Sequence, residues 1–297
     1  MVVGVDGSSD ASAALSVAAR AAEETGGRVR VVSTWTSPTT WGRPYPVVDG
    51  IPALGGAQAA AIRSAIGGSR VPVERIVRDG WAGPSLVEES RGAELLVVGR
   101  RGHGGFPGLL LGSVSMHCVA HAACPVLVVP PGAPRAPSGS ARIVVGVDGS
   151  RGSQLALRLA LRAAELTDAR LDVVTVWTYP QQRSEPYPVP RAEMEEQARQ
   201  RQRDAIGKAL GSRVSDRIRL QVVEGHPAGA LLDQSADADL LVVGSRGRGE
   251  ISGTLFGSVS LACAEHAQVP VLVARGPHAS EAPSGSDERK TDDDGDR

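Results

Sequence analysis

The chain has 297 residues, with 32 basic and 33 acidic side chains and a net charge of −1 at pH 7. So even a balance excludes a global field drawing it toward nucleic acid or an anionic membrane. No apolar run reaches the roughly 18 residues of a membrane span and no signal peptide precedes the first strand, so the expected compartment is the cytoplasm; three cysteines, an odd count, give no disulfide framework.

The chain opens on an apolar run from Met1 to Val5 that predicts a strand, closed by Asp6-Gly7-Ser8. Because this strand begins at Met1 itself, it is expected to be slightly weaker than its later counterpart. A short Ala/Gly-rich helix is expected near Ala57 to Ile66. The run ELLVV then reads as a buried strand and leads into GRRGHGGFPGLLLGSVS, Gly99 to Ser115, before a closing strand at Pro125 to Val129. Pro130 to Ala141 is Pro/Gly/Ser-rich and has the composition of a semi-rigid linker.

Beyond it the same order returns. Ile143 to Val147 is a strand apolar on both faces, and Ser150 or Ser153 caps a helix running to about Thr167. The remaining elements are strands at Leu171 to Trp177, Ile218 to Val223, Leu240 to Val243 and Val269 to Ala274, with helices at Met194 to Leu210, Pro227 to Ser235 and Ser258 to Ala267. The segment 276–297 has no core-forming residue and reads as a disordered acidic tail. Strand and helix alternate throughout, which implies right-handed βαβ units and a parallel sheet.

The repetition is in register. VVGVDGS at Val2 recurs at Val144, so Asp6 matches Asp148, and Pro44-Tyr45-Pro46-Val47 matches Pro186-Tyr187-Pro188-Val189. The offset grows by three residues between Val189 and Gly225 and then holds to the end. Two homologous domains follow, 1–130 and 142–275, joined by 131–141.

Each half carries Gly-x-x-Gly, nine residues, then Gly-Ser: Gly99, Gly102, Gly112, Ser113, and Gly244, Gly247, Gly257, Ser258. Between a strand and a helix such glycines let backbone N–H groups approach an anion. Asp6 and Asp148 end their own strands, so all these features meet in one crevice if the first and fourth strands are neighbours. The alternatives are tight connections for the glycines and turn or cap roles for the aspartates. Arg101, Arg246 and Arg248 either screen phosphate or are solvated loop residues.

His117 and His121 are spaced like a metal pair, but only His121 recurs, as His266, and that matched pair more readily satisfies carbonyls at a helix end. Cys118 and Cys263 share a repeat position and read as buried small hydrophobes. The Walker-type phosphate loop and the Gly-x-Ser-x-Gly elbow are both missing from the sequence.

VVGVDGS, VVG-x-x-G, the nine-residue spacer, GSVS and the closing PVLVV resemble the universal stress protein family, in its tandem, ATP-binding form. The resemblance implies two Rossmann-like α/β domains of the adenine nucleotide α-hydrolase type. Each would have a five-stranded parallel sheet in order 3-2-1-4-5 flanked by helices. It implies ATP with Mg2+, and it puts Val5 with Asp6, and Val147 with Asp148, at the adenine-ribose end. Val98, Gly99 and Gly102, with Val243, Gly244 and Gly247, would line ribose and phosphates. Gly112, Ser113 and Val114, with Gly257, Ser258 and Val259, would hold the triphosphate. Thr34 and Val176 would pack on adenine, where the family favours an aliphatic residue, so the second site is expected to be the stronger. Trp81, where the second half has His226, is a further asymmetry.

The expected function is a nucleotide-gated binding module of the stress response, with at most slow hydrolysis, because no matched nucleophile and base accompany the loops. The alternatives are an ATP-using enzyme of the nucleotide α-hydrolase type and a structural paralogue with empty sites. The resemblance also implies that the last strands cover each other in an internal pseudo-dimer; a homodimer and a downstream protein partner stay open.

Overall fold

In a computed structural model, residues 1–35, 56–103, 108–133, 141–179, 189–211, 216–247 and 256–276 are described. The linker interior (134–140), the tail from 277, Arg248 and the Pro-Tyr-Pro-Val repeat except Val189 lie outside them. The first half runs β1 (Val2–Gly4), α1 (Ser9–Thr25), β2 (Val29–Trp35), α2 (Gly56–Ile66), β3 (Val73–Asp79), α3 (Ala82–Glu89), β4 (Leu96–Gly99), α4 (Ser113–His121) and β5 (Val126–Val129). The second runs β6 (Arg142–Gly146), α5 (Arg151–Thr167), β7 (Arg170–Trp177), α6 (Arg191–Leu210), β8 (Ile218–Glu224), α7 (Pro227–Gln234), β9 (Leu240–Gly244), α8 (Ser258–His266) and β10 (Val271–Ala274).

Local chemistry explains the boundaries. Ser8 and Ser150 precede α1 and α5, and their side chains accept the N–H of Ala11 and Ser153 at 3.2 and 3.1 Å, so Ser150 rather than Ser153 is the cap. The turns before them need φ near +90°, which glycine supplies at Gly7 and Gly149. The helix expected from Met194 starts at Arg191, because Pro190 accepts the first-turn N–H groups of Glu193 and Met194. The last strand starts at Val271 rather than Val269, since Pro270 has no N–H to give to a ladder.

The strands form one ten-stranded sheet in order β3-β2-β1-β4-β5-β10-β9-β6-β7-β8. Each half therefore has the order 3-2-1-4-5, with parallel pairs throughout. At the middle β5 and β10 pair antiparallel, Leu127 opposite Leu272. As a result the carboxyl ends of β1 to β5 and of β6 to β10 point to opposite edges of the sheet.

Two apolar layers cover the sheet, and both run across the junction. One joins α1, α2, α5 and α6 to one face (Leu15, Ile62, Leu157, Ile206). The other joins α3, α4, α7 and α8 to the opposite face (Leu86, Val119, Leu231, Ala264). Cys118 and Cys263 sit in the second layer, and burial pushes both thiols up to about 12, which leaves them unreactive at neutral pH.

Two arginines cross between the halves. Arg100, just past β4, donates to the Glu265 and Ala267 carbonyls at the end of α8, at 3.1 and 3.0 Å. Arg275, just past β10, donates to Val119 and Ala122 at the end of α4, at 2.7 and 3.0 Å. A guanidinium is well placed there, at the negative end of each helix dipole. The carbonyls expected to be satisfied by His121 and His266 are thus held by arginines of the other half.

Candidate functional site

The scaffold brings β1 and β4 side by side, and β6 and β9 likewise, so the first-strand aspartate and the glycine loop of each half share one crevice. Asp6 uses both oxygens. Oδ1 accepts the N–H of Ser8 at 2.9 Å and Oδ2 that of His103, inside the loop, at 2.7 Å. Partial burial pushes this carboxyl up, but the hydrogen bonds from Ser8 and His103 outweigh it and hold it below the usual carboxylate range. Asp148 accepts the N–H of Ser150 at 2.9 Å in the same way. Both aspartates serve the turn, and the bond from His103 shows Asp6 tying that turn to the loop.

The glycines answer to close packing. A Cβ on Gly102 would fall inside contact distance of the Asp6 carboxylate, and one on Gly247 would stand 2.7 Å from Asp148 Oδ2. Neither glycine has a positive φ, so the constraint is this approach and not a left-handed backbone. Gly99 and Gly244 let the starts of α1 and α5 approach the ends of β4 and β9, where a Cβ would meet backbone at 2.7 Å in each half. The loops close at their necks through the N–H of Gly112 to the Arg100 carbonyl and of Gly257 to the Ser245 carbonyl, both 2.9 Å.

Gly112 and Gly257 occupy the N-cap positions of α4 and α8, with no side-chain cap bond. Ser113 and Ser258 are the first helical residues, and both are exposed. Each serine is therefore one position inside the helix, its hydroxyl free of any capping duty beside the unpaired N–H groups of the first turn. The third residue after each N-cap does the structural work: Ser115 Oγ donates to the Gly99 carbonyl at 2.6 Å and Ser260 Oγ to the Ser245 carbonyl at 3.2 Å.

Each half encloses a cavity at this place. The first, about 160 Å3, is lined by Val5, Asp6, Thr34, Val98, Gly99, Gly102, Gly112, Ser113 and Val114. The second, about 350 Å3, is lined by Val147, Asp148, Val176, Val243, Gly244, Gly247, Gly257, Ser258 and Val259. The residues that the resemblance assigned to nucleotide are thereby brought to the two cavities, while Arg248 lies outside the described residues. Arg101 and Arg246 line them as well.

Other wall residues had no signal in the motifs. Leu86 and Leu231, from α3 and α7, cover Gly4 and Gly146 so closely that a Cβ there would meet a leucine methyl at 2.8 Å. Behind the wall, Ser33 and Thr175, on β2 and β7, donate to the carbonyls of Val5 and Val147, both at 2.8 Å. Both pairs recur at the repeat offset, a pattern that ordinary core residues share.

The floor is apolar, the rim has backbone donors and a hydroxyl, and one arginine stands beside them. Such a site suits a flat apolar group joined to an anion. Among the described residues no group of three or more His, Cys, Asp or Glu side chains could hold a metal ion, and the His117 and His121 rings lie 4.5 Å apart. Among them, too, no helix is long and apolar enough to cross a membrane.

A family model described as Universal stress protein family matches residues 1–130 and 140–275. A universal stress protein of Mycobacterium tuberculosis is 33% identical over 312 residues, covering 96% of this chain and 97% of its own length. Another from the same species is 34% identical over 290 residues, covering 93% and 96%. Among solved structures, a universal stress protein from Archaeoglobus fulgidus shares the fold with a TM-score of 0.63 at 18% identity, covering 93% of this chain and 97% of that one.

Proposed function

The chain belongs to the universal stress protein family, and from that premise we propose that it binds ATP in each half, more strongly in the second. It acts as a nucleotide-dependent stress-response module in the cytoplasm. The observation that carries this reading is the equivalence of the two cavities: sixteen corresponding positions line each, with an apolar wall at one end and a helix start at the other. An adenine would lie against Val5, Thr34 and Val98, or Val147, Val176 and Val243. The phosphates would meet Ser113 or Ser258 and the first-turn N–H groups. A helix dipole contributes about 0.3–1 kcal/mol there, and each hydrogen bond to a charged oxygen about 1.5–3 kcal/mol.

Mg2+ fits this arrangement only as an ion carried by the triphosphate. No carboxylate cage stands among the described residues, and the Asp6 oxygens already accept backbone N–H groups. The ion would screen phosphate charge and leave Arg101 or Arg246 to complete the anion's surroundings.

Turnover is expected to be slow. Asp6, held ionised and bonded on both oxygens, is a poor base for activating water.

Mass spectrometry of small molecules released from freshly purified protein, followed by incubation with Mg-ATP, tests the reading. Retained ATP with slow loss supports it. Rapid production of AMP or ADP would instead favour an enzyme of the nucleotide α-hydrolase type, and a chain that neither retains nor rebinds nucleotide would be a structural paralogue.

A further inference from the structure

The two halves differ under the glycine loop, at one position near the start of the first helix. In the first half this is Asp10, only 6% exposed. Its Oδ2 accepts the N–H of Arg101 at 3.1 Å, and Oδ1 accepts the Ser9 hydroxyl at 3.3 Å. Asp6 takes the N–H of His103 from the same loop at 2.7 Å. Two of this loop's donors are thus already engaged by carboxylates of the protein, as an incoming anion would engage them.

The counterpart of Asp10 in the second half is Gly152. A Cβ at Gly152 would stand 2.6 Å from the Arg246 carbonyl oxygen. The loop there occupies the space that a side chain takes in the first half, so no carboxylate can reach the Arg246 N–H from this position without moving the loop. The neighbouring cation does not offset the difference. Arg100 lies within reach of the Asp10 charge, but its guanidinium is turned to the end of α8.

The cavities follow the same division. Ligand pockets for molecules of nucleotide size run from about 300 to 1,000 Å3. The second cavity, at about 350 Å3, falls in that range, and the first, at about 160 Å3, falls short of it.

We propose that Asp10 gives the two sites different preferences: the first favours an adenine nucleoside or a nucleotide with a single phosphate and takes ATP weakly, and the second favours the triphosphate. This rests on the adenine-nucleotide reading of both cavities. Asp10 is a positioning and specificity residue. It holds the loop N–H inward and sets a negative charge behind the place where further phosphates would lie.

The test is calorimetric titration of the full chain with Mg-ATP, AMP and adenosine. The unsubstituted chain should bind one ATP tightly and a second at least about tenfold more weakly, whereas AMP should fill both sites with more similar affinity. Asp10→Gly, which puts the residue of the second half into the first, should strengthen the weak ATP site about tenfold and change adenosine binding less than about twofold. Asp10→Asn keeps an acceptor for the Arg101 N–H but removes the charge, and should give part of that gain. Gly152→Asp should weaken the tight ATP site and spare the other.

Two equal ATP sites in the unsubstituted chain would overturn the proposal, as would Asp10 variants that shift ATP and adenosine alike, which is the mark of a purely structural role. If no adenine ligand binds at all, the parent reading falls with it. If ATP binds the second half and the Asp10 variants leave the ratio of ATP to AMP unmoved, only the role of Asp10 falls.

Discussion

The first and second halves share a strand order, a glycine loop and an aspartate at the end of the leading strand, yet one cavity has roughly twice the volume of the other. The differences lie around the shared motif. Thr34 faces Val176 across the repeat, Asp10 faces Gly152, Ala11 faces Ser153, and Trp81, 77% exposed at the start of α3, faces His226 at the start of α7. The residues that shape the loop backbone are the same in both halves, and those around it differ in size and hydrogen-bonding capacity. The motif is common to both cavities, and the residues behind it are not.

The comparison assumes that the halves act as two units joined at β5 and β10, and the strongest way to break it is at that seam. Leu127 and Leu272 face each other there at 7% and 8% exposure. Leu127→Glu would bury an unpartnered charge at a cost of about 3–5 kcal/mol. Calorimetric melting should then fall by roughly 10 °C or more and divide into two transitions, one per half, with nucleotide shifting each separately. A single unshifted transition would mean that the seam contributes little.

Next in size are the loop glycines. Gly247→Val should abolish ATP binding in the second half, a loss of at least about 100-fold, because its Cβ would lie 2.7 Å from the Asp148 carboxylate. Gly102→Val should act on the first half alone. Counting bound nucleotide per chain distinguishes them, and a double variant that still bound two nucleotides would end the assignment of both sites.

The serines sharpen the comparison. Ser258→Ala should weaken ATP by about 1–2 kcal/mol, five- to thirtyfold, through one lost phosphate contact. Ser113→Ala should weaken ATP less, since the first site engages fewer phosphates. Neither hydroxyl caps its helix, so the melting temperature without nucleotide should hardly change. Smallest of all is Thr34→Val, which makes the first wall like the second and should strengthen adenosine binding there about two- to threefold.

Much of this was legible in the sequence. Periodicity and the repeat located the elements, the resemblance supplied the strand order, and matched glycines, aspartates and serines marked the cavity positions. What the repeat concealed falls into two kinds. Leu86 and Leu231 recur faithfully, but a buried leucine on a short helix has the same pattern whether it covers a core or a cavity. Arg100 and Arg275 do not recur, since their counterparts are Ser245 and Pro130. They act on the other half, and a search for equivalence passes over residues whose purpose lies in the contact between copies. Asp10 likewise has no equivalent, since Gly152 stands at its place in the second half.

The antiparallel seam has a further consequence, for valency. From β1 to β6 is five strand spacings, about 24 Å at the usual interstrand distance, and the two cavities open from opposite edges of the sheet. Two adenine heads on a short tether could not reach both sites of one molecule, so such a ligand would gain no avidity from intramolecular pairing. It would join a cavity of one chain to a cavity of the next. Light scattering should then rise as the tethered ligand approaches equimolarity and fall again in excess, the bell-shaped profile of a divalent linker between two-ended units.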